Sequence, residues 1–277
     1  MTLRLGLIGG NITATRSPAL HVLCGLTVGL NVTYDLLIPA ERGMAFPDLL
    51  DHCARTGFHG VNVTYPHKEE AAALVPSGLP LVAQMGSSNT VRFAPEGARA
   101  FNTDCTGFEA AFRARWPDAA PGRVLVLGTG GVGRAVAFAL ARLGASAIAL
   151  YDTDAAKVAA LGAALTGAFP VTVEAAAPGA AADLARFDGV VNCTPLGMVG
   201  RPGSPLPDGV RGRPAWAFDA VYTPPDTEFR AQVTTLGADF LDGWELYFHQ
   251  GVQAFQIFSG RAVQDTGWIR ACLTRQA

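Results

Sequence analysis

The chain has 277 residues, enough to bury one large core or two ordinary ones, and we start from the expectation of two domains. Charged residues make up 16% and the formal net charge is -2, so no basic surface indicates nucleic acid as a partner. No segment approaches the ~18 consecutive apolar residues of a bilayer crossing, and no export signal is recognised. The five cysteines are scattered without a C-x-x-C pair, which fits a reducing compartment. A soluble, cytoplasmic protein without nucleic-acid or membrane partners is therefore expected.

The first third of the chain alternates strand-like and helix-like segments. Leucines at helical spacing predict a helix over 18–30, and Phe46, Leu49, Leu50 and Cys53 share one face of a second helix. A Pro-Glu-Gly turn at 95–97 separates two strand-like runs, which is typical of a hairpin. The predicted strands are 3–8, 32–38, 58–64, 89–93 and 99–102. A hairpin joined to strand-helix units predicts a mixed sheet.

After a polar turn bracketed by Pro117 and Pro121, the pattern becomes a regular alternation of strands and helices. The predicted strands are 124–127, 147–151, 171–173, 188–193 and 215–221, and the predicted helices are 132–143, 154–165 and 244–272. Such alternation predicts a parallel sheet. We therefore predict one domain over residues 1–104, completed by 243–277, and a second over 105–242.

A glycine motif, Gly128-Thr-Gly130-Gly131-Val132-Gly133, directly follows an apolar strand and opens a helix. In that context the first glycine permits a tight turn, the second admits a pyrophosphate close to the backbone, and the third lets helix pack on strand. The helix N-terminus then favours the anion. The motif predicts a Rossmann domain that binds a dinucleotide, the alternative being a purely structural glycine turn.

Asp152 lies at the end of the next strand, 24 residues after Gly128, where a carboxylate can accept hydrogen bonds from the adenosine ribose hydroxyls. A 2'-phosphate would be repelled there, and no arginine occurs between Arg142 and Arg186 to bind one. This favours NAD over NADP. The alternative is that Asp152 is a helix N-cap.

Hydride transfer from a secondary alcohol also releases a proton, so the enzyme needs a positioned base. Lys68 follows the third predicted strand in Asn62-Val-Thr64-Tyr-Pro66-His-Lys68. Asp104 follows the hairpin at a predicted helix start. Both positions are expected to line one cleft.

With these motifs, the chain resembles the shikimate/quinate dehydrogenase family from residue 5 to about residue 260. The similar elements occur in the family's order. They are Leu7 to His21, Gly60 to Lys68, Ser88-Asn89-Thr90-Val91, Phe101-Asn102-Thr103-Asp104, the glycine loop, Asn192-Cys-Thr194-Pro-Leu-Gly197-Met198, Asp219-Ala-Val221-Tyr222-Thr-Pro, and Asp242-Gly243-Trp to Gln250.

The resemblance implies a role for individual residues. Lys68 and Asp104 would be the catalytic pair, with Lys68 relaying the proton of the substrate hydroxyl. The residues implied around a hydroxylated ring carboxylate are Thr15, Ser17, Thr64, Asn89, Tyr222 and Gln250. Those implied at the nicotinamide or its ribose are Thr194, Met198, Val221 and Gly243. Taken singly, each has a plainer alternative: Thr15 and Ser17 as loop caps, Asn89 as a turn residue, Gln250 as an exposed helix residue and Val221 as core.

Thr15 departs from the serine usual at its position in the family, which adds a methyl group near the expected substrate carboxylate. That methyl group could shift the ring preference. Ser87-Ser88 and the bulky segment Trp244 to Phe248 also depart from the family pattern, and together with Asp152 they favour the NAD-dependent branch that interconverts shikimate and 3-dehydroshikimate or quinate and 3-dehydroquinate. Two alternatives stay open: a dehydrogenase of aminoshikimate or another cyclic polyol, and a non-catalytic NAD-sensing module. The histidines show no ligand spacing, so no metal is expected.

The combined prediction is an α/β protein, with an N-terminal mixed-sheet substrate domain and a C-terminal Rossmann NAD-binding domain. Its C-terminal helices are expected to pack back on the first domain. The expected oligomeric state is a monomer or homodimer.

Overall fold

The structure is a computed structural model that describes residues 2–10, 12–13 and 15–274. The chain divides into two compact units, residues 1–103 with 248–277 and residues 104–247. Each unit contains its own sheet. Which unit binds substrate and which binds cofactor stays a prediction.

The strands of the first unit are, in chain order, β1 (Thr2–Ile8), β2 (Asn31–Leu37), β3 (Gly60–Val63), β4 (Thr90–Ala94) and β5 (Gly97–Phe101). Among the described residues they form a five-stranded sheet in the order β2-β1-β3-β4-β5. β1 is parallel to β2 and β3, whereas β4 is antiparallel to β3 and β5. The predicted mixed sheet is therefore confirmed.

The helices between β1 and β4 are α1 (Ser17–Thr27), α2 (Pro39–Arg42), α3 (Phe46–Arg55), α4 (Lys68–Leu74) and α5 (Pro80–Met85). α3 buries the face predicted from its spacing, with Phe46, Leu49, Leu50 and Cys53 in the core. Complete burial of a leucine or phenylalanine stabilises the fold by about 1.5–3 kcal/mol. This stripe is what fixes α3 against the sheet.

The strands of the second unit are β6 (Arg123–Leu127), β7 (Ala147–Tyr151), β8 (Thr172–Ala175), β9 (Gly189–Asn192), β10 (Trp216–Asp219) and β11 (Asp239–Asp242). In the part of this unit that the structure describes, they form a six-stranded sheet in the order β11-β10-β9-β6-β7-β8. All its pairs are parallel, as the alternating pattern predicts. The carboxyl ends of the strands therefore meet at one edge, where ligands of open α/β sheets bind.

The helices of the second unit are α6 (Thr103–Arg115), which begins at the last residue of the first unit, α7 (Gly131–Arg142), α8 (Ala155–Ala168) and α9 (Glu228–Thr235). α7 follows β6 through the glycine loop, and α8 follows β7. The core of this unit is apolar: Leu125, Leu127 and Ala217 of the sheet pack with Phe229 and Val233 of α9.

The C-terminal segment 244–272 was predicted to be helical, without a boundary between its helices. The structure has two helices, α10 (Gly243–Ser259) and α11 (Thr266–Thr274). Gly260, with φ of +66°, ends α10 in a left-handed conformation that favours glycine. The side chain of Asp265 then accepts a hydrogen bond from the Trp268 N–H at 3.0 Å and starts α11.

Both terminal helices contribute to the first unit, as predicted. Residues 248–259 of α10 belong to it, and Gly251 lies close to the Leu20 side chain of α1. Arg16 donates a hydrogen bond to the carbonyl oxygen of Leu273 in α11 at 3.2 Å. Within the described ranges, no helix has the length and apolar character needed to cross a membrane.

Candidate active site

The glycine loop joins β6 to α7 in the geometry that the motif predicts. Gly128 has φ of +92°, and a Cβ atom there would lie 2.8 Å from the carbonyl carbon of Cys193. A Cβ atom on Gly133 would lie 2.0 Å from the Gly128 carbonyl oxygen, so helix and strand approach more closely than any side chain allows. Gly130 differs, because nothing lies within 4 Å of a Cβ atom built there.

The open position at Gly130 leaves space beside the first turn of α7. Gly130 is the N-cap, and Gly131, Val132 and Gly133 form the first turn. Backbone N–H groups at a helix N-terminus attract anions. The loop can therefore accommodate the pyrophosphate of a dinucleotide.

Asp152, at the end of β7, is held by the glycine loop. Its Oδ2 accepts hydrogen bonds from the Thr129 N–H at 2.7 Å and the Thr129 hydroxyl at 3.0 Å, and its Oδ1 accepts one from the Asp154 N–H at 3.0 Å. Partial burial acts to raise the pKa of Asp152, but these hydrogen bonds outweigh it and the pKa is lowered. The N-cap of α8 is Asp154, which accepts from the N–H groups of Ala156 and Lys157, and not Asp152.

A second polar network lies where β9 and β10 end. Asn192 and Asp219 are paired in register, and the Asn192 amide donates to Asp219 Oδ1 at 3.0 Å. Asp219 also accepts from the Val221 N–H at 3.0 Å and from the Thr227 hydroxyl at 2.6 Å. Asn192 Oδ1 accepts from the N–H of Thr194 at 2.9 Å and from its hydroxyl at 2.7 Å. Thr194 and Val221 are thereby held by one buried pair.

Burial raises the pKa of Asp219 to about 6, although the hydrogen bonds from Thr227, Val221 and Asn192 act in the opposite direction. The side chain is 1% exposed. Keeping this buried carboxyl ionised costs free energy, and the hydrogen bonds from its three donors offset only part of that cost.

The other predicted residues of the second unit surround the same strand ends. Gly243 begins α10, and a Cβ atom there would lie 2.6 Å from the Ala220 carbonyl oxygen. Tyr222 stacks on Tyr247, with ring centroids 5.1 Å apart. Met198 is exposed, and its N–H donates to the Pro195 carbonyl oxygen in the loop after β9.

In the first unit, neutral polar side chains form a buried cluster around Asn89. The Asn89 amide nitrogen donates to the Thr103 hydroxyl at 2.9 Å and to Gln250 Oε1 at 3.3 Å. Its Oδ1 accepts from the Thr103 N–H at 2.7 Å and the Thr90 hydroxyl at 2.9 Å. Asn62 extends the cluster by donating to Thr90 Oγ1 at 3.2 Å. Amide and hydroxyl groups of this kind suit a ligand with several hydroxyls.

Thr15 and Ser17 contact each other at the start of α1. Their hydroxyl oxygens are 3.0 Å apart, and the Ser17 N–H donates to Thr15 Oγ1 at 3.2 Å. Thr64 follows β3, and its N–H donates to the Ile8 carbonyl oxygen at 2.9 Å. Thr64 is therefore tied to the end of β1, from which the loop carrying Thr15 and Ser17 leaves.

Lys68 and Asp104 are both buried, with 8% and 5% of their surfaces exposed. Lys68 is the first residue of α4, and its carbonyl oxygen accepts from the Ser88 N–H at 2.9 Å, next to Asn89. Asp104 is the second residue of α6 and directly follows Thr103. Titratable side chains buried beside a polar cluster are candidates for catalytic roles.

Several residues of these networks were not predicted. They are Asn62, Thr90 and Thr103 in the first unit, and Thr129, Asn192, Asp219 and Thr227 in the second. All of them except Thr227 lie inside motifs that were recognised, but only the folded chain shows which atoms they contact. Among the residues that the structure describes, no group of three or more His, Cys, Asp or Glu side chains could hold a metal ion.

Comparison with known proteins gives one consistent family. Residues 7–91 match the shikimate dehydrogenase substrate binding domain. Over 264 residues, covering 92% of each chain, the sequence is 37% identical to a quinate/shikimate dehydrogenase (NAD(+)) of Corynebacterium efficiens. It is 36% identical to a shikimate dehydrogenase (NADP(+)) of an Arthrobacter species, covering 92% of this chain and 89% of the relative.

Solved structures agree. Quinate dehydrogenase from Corynebacterium glutamicum in complex with NAD matches with a TM-score of 0.87 at 32% identity, covering 99% of both chains. The resemblance inferred from the motifs is confirmed. The protein has an α/β fold with one mixed and one parallel sheet. It is an oxidoreductase, and the chain belongs to the shikimate/quinate dehydrogenase family.

Proposed function

We propose that this protein uses NAD to oxidise a ring hydroxyl of shikimate or quinate, and to reduce the corresponding ketone. One observation supports this most strongly. Two buried titratable residues have their backbones next to the polar cluster: the Lys68 carbonyl oxygen accepts from the N–H of Ser88, which precedes Asn89, and Asp104 follows Thr103 in the chain. A base, an acid and several hydroxyl-binding groups are what oxidation of a polyhydroxylated ring needs.

In the proposed mechanism, Asn89 and Gln250 hold ring hydroxyls, and Thr15 and Ser17 receive the carboxylate. Lys68 accepts the proton of the reacting hydroxyl at Nζ, and Asp104 orients that hydroxyl. The chemistry that NAD would supply when bound is acceptance of a hydride from the carbon that bears this hydroxyl. The reverse reaction returns the proton from Lys68 to the carbonyl oxygen. Arginine could not replace Lys68, because a guanidinium does not give up its proton in a protein.

The cofactor site is proposed for the second unit. Gly128 to Gly133 would receive the pyrophosphate, and Thr194, Met198, Val221 and Gly243 would border the nicotinamide or its ribose. Asp152 would accept a hydrogen bond from an adenosine ribose hydroxyl. A carboxylate is negative at neutral pH, and the hydrogen bonds that lower the pKa of Asp152 act in the same direction, so the side chain would repel the additional phosphate of NADP. Relatives of both cofactor types are similar to this chain, so the preference rests on Asp152 itself.

A steady-state panel tests the proposal. Purified protein is assayed with NAD and NADP against shikimate, quinate and aminoshikimate. The expected result is turnover of shikimate or quinate with a large preference for NAD in kcat/KM. Turnover of aminoshikimate alone would contradict the substrate assignment, and equal kcat/KM with both cofactors would contradict the cofactor assignment. Tight NAD binding with no NADH from any substrate would make the protein a sensing module instead.

We also propose that the enzyme works as a monomer or homodimer in the cytoplasm, which light scattering and fractionation can check. All five cysteines are free thiols. Burial raises the pKa of Cys24 to about 12 and that of Cys53 to about 11. Thiols of this kind are inert, which fits packing rather than redox chemistry.

A further inference from the structure

Thr129 lies between the first two glycines of the loop, and its side chain is completely buried. Both of its donors reach the same atom, Asp152 Oδ2: the N–H at 2.7 Å and the hydroxyl at 3.0 Å. The glycine motif itself does not require a hydroxyl at this position, because its mechanism uses backbone N–H groups and the absence of side chains. The threonine hydroxyl therefore needs a separate explanation.

The hydrogen bonds that Asp152 already accepts leave its carboxylate able to accept few others. An ionised carboxylate accepts about four hydrogen bonds in total. Thr129 supplies two to Oδ2, the Asp154 N–H supplies one to Oδ1 at 3.0 Å, and the exposed Thr153 hydroxyl supplies a longer one to Oδ1 at 3.4 Å. The long Thr153 bond is the one that a ribose hydroxyl donor would replace on Oδ1, because an exposed hydroxyl can rotate to bond water instead. A 2'-phosphate offers no such donor and brings negative charge instead.

Fixing the carboxylate also prevents it from turning away. An aspartate on a loop can change rotamer when an anion approaches, and the site then tolerates the anion. Here, rotation would break both hydrogen bonds from Thr129. Lys157, an exposed cation of α8 that attracts Asp152, would be available to a phosphate once the carboxylate had moved. The anchored position is therefore the one that rejects a 2'-phosphate.

We propose that Thr129 is a specificity-determining positioning residue, which locks Asp152 so that the cofactor with a free 2'-hydroxyl is bound in preference to the 2'-phosphorylated one. This rests on the proposed preference for NAD. Thr129 acts through Asp152 and contacts no reacting atom. Its effect should appear in the ratio of the two cofactor affinities, which a merely structural residue would change little.

The test measures the dissociation constants of NAD and NADP by calorimetry, which needs no turnover. Thr129→Val removes the hydroxyl at similar volume, and Thr129→Ser keeps it. We expect Thr129→Val to lower the ratio Kd(NADP)/Kd(NAD) by about tenfold or more, because a hydrogen bond to a charged group is lost. Thr129→Ser should stay within about twofold of the wild type. If Thr129→Val does not fold, Thr129→Ala takes its place.

Two comparisons separate the possible causes. Thr166→Val is a matched control, since Thr166 is an exposed threonine of α8 that donates to the Gly162 carbonyl oxygen of its own helix. It should leave the ratio unchanged. In an Asp152→Ala background, Thr129→Val should have no further effect, because the residue that it positions is gone.

The outcomes distinguish the two proposals. Suppose that the wild type prefers NAD, that Asp152→Ala abolishes this preference, and that Thr129→Val retains it. That result would overturn the role of Thr129 alone. Equal lowering of the ratio by Thr129→Val with and without Asp152 would also overturn it. A wild-type protein with equal affinity for both cofactors would overturn the NAD preference, and the role of Thr129 with it.

Discussion

Replacing Asp219 with asparagine should change how stability depends on pH. Asp219 is buried at the end of β10, and its carboxylate accepts hydrogen bonds from Asn192, Val221 and Thr227. Asparagine has nearly the same shape and does not titrate. Its amide can donate to the Thr227 oxygen while its carbonyl oxygen keeps the other two donors. The variant therefore removes the ionisation and leaves the packing.

The magnitude follows from the pKa. Burial raises the pKa of Asp219 from 3.8 to about 6 in the folded state. The folded chain then binds this proton more tightly than the unfolded chain, so the stabilisation is complete below the unfolded pKa and lost as pH rises through the folded pKa. A shift of about two units corresponds to about 3 kcal/mol. The wild type should lose about 3 kcal/mol relative to Asp219→Asn between about pH 4 and pH 7.

Urea unfolding followed by circular dichroism across this pH range measures the difference between the two proteins. Asp226→Asn is the control, because the Asp226 side chain is 91% exposed and pairs only loosely with Arg230, at 3.6 Å. Its stability difference from the wild type should vary by less than about 0.5 kcal/mol with pH. A difference for Asp219→Asn that is equally flat, or that changes in the opposite direction, would refute the reasoning.

Further predictions concern the glycine loop and the polar cluster. Gly133→Ala should lower the melting temperature, because its Cβ atom would overlap the Gly128 carbonyl oxygen at 2.0 Å, and overpacking typically costs about 1–3 kcal/mol. Gly130→Ala should keep the melting temperature but weaken NAD binding about tenfold or more, since only the cofactor would meet its methyl group. Equal effects of the two on stability would contradict this. Gln250→Ala should raise KM for the ring substrate about tenfold with KM for NAD unchanged, in steady-state assays. A matching rise for NAD would remove Gln250 from the proposed substrate site.

The elements with strong periodicity could be predicted from the sequence. The strand at 147–151 has the observed bounds, and the stripe of Phe46, Leu49 and Cys53 is buried as expected. Local patterns suffice there, because each depends on residues within one turn or one strand. The boundary between α10 and α11 was not predicted, although Gly260 ends the first helix and Asp265 caps the second, because apolar residues continue on both sides of residues 260–265.

The polar partners could not be predicted, because they depend on register between distant segments. Asn192 meets Asp219 only because β9 and β10 pair in parallel with these residues opposite each other. Thr129 reaches Asp152 only because β6 and β7 are neighbours. The sequence shows that Asp152 ends a strand, but not that the loop beside it supplies two of its donors.

The most direct measurement is NADH formation by wild-type protein and Lys68→Met, with saturating NAD and either shikimate or quinate. The wild type should form NADH. Loss of a general base typically lowers the rate about 10²–10⁴-fold, so Lys68→Met should form NADH at least about 10²-fold more slowly. The variant should bind NAD with unchanged affinity. Near-normal NADH formation by Lys68→Met would contradict the proposed chemistry.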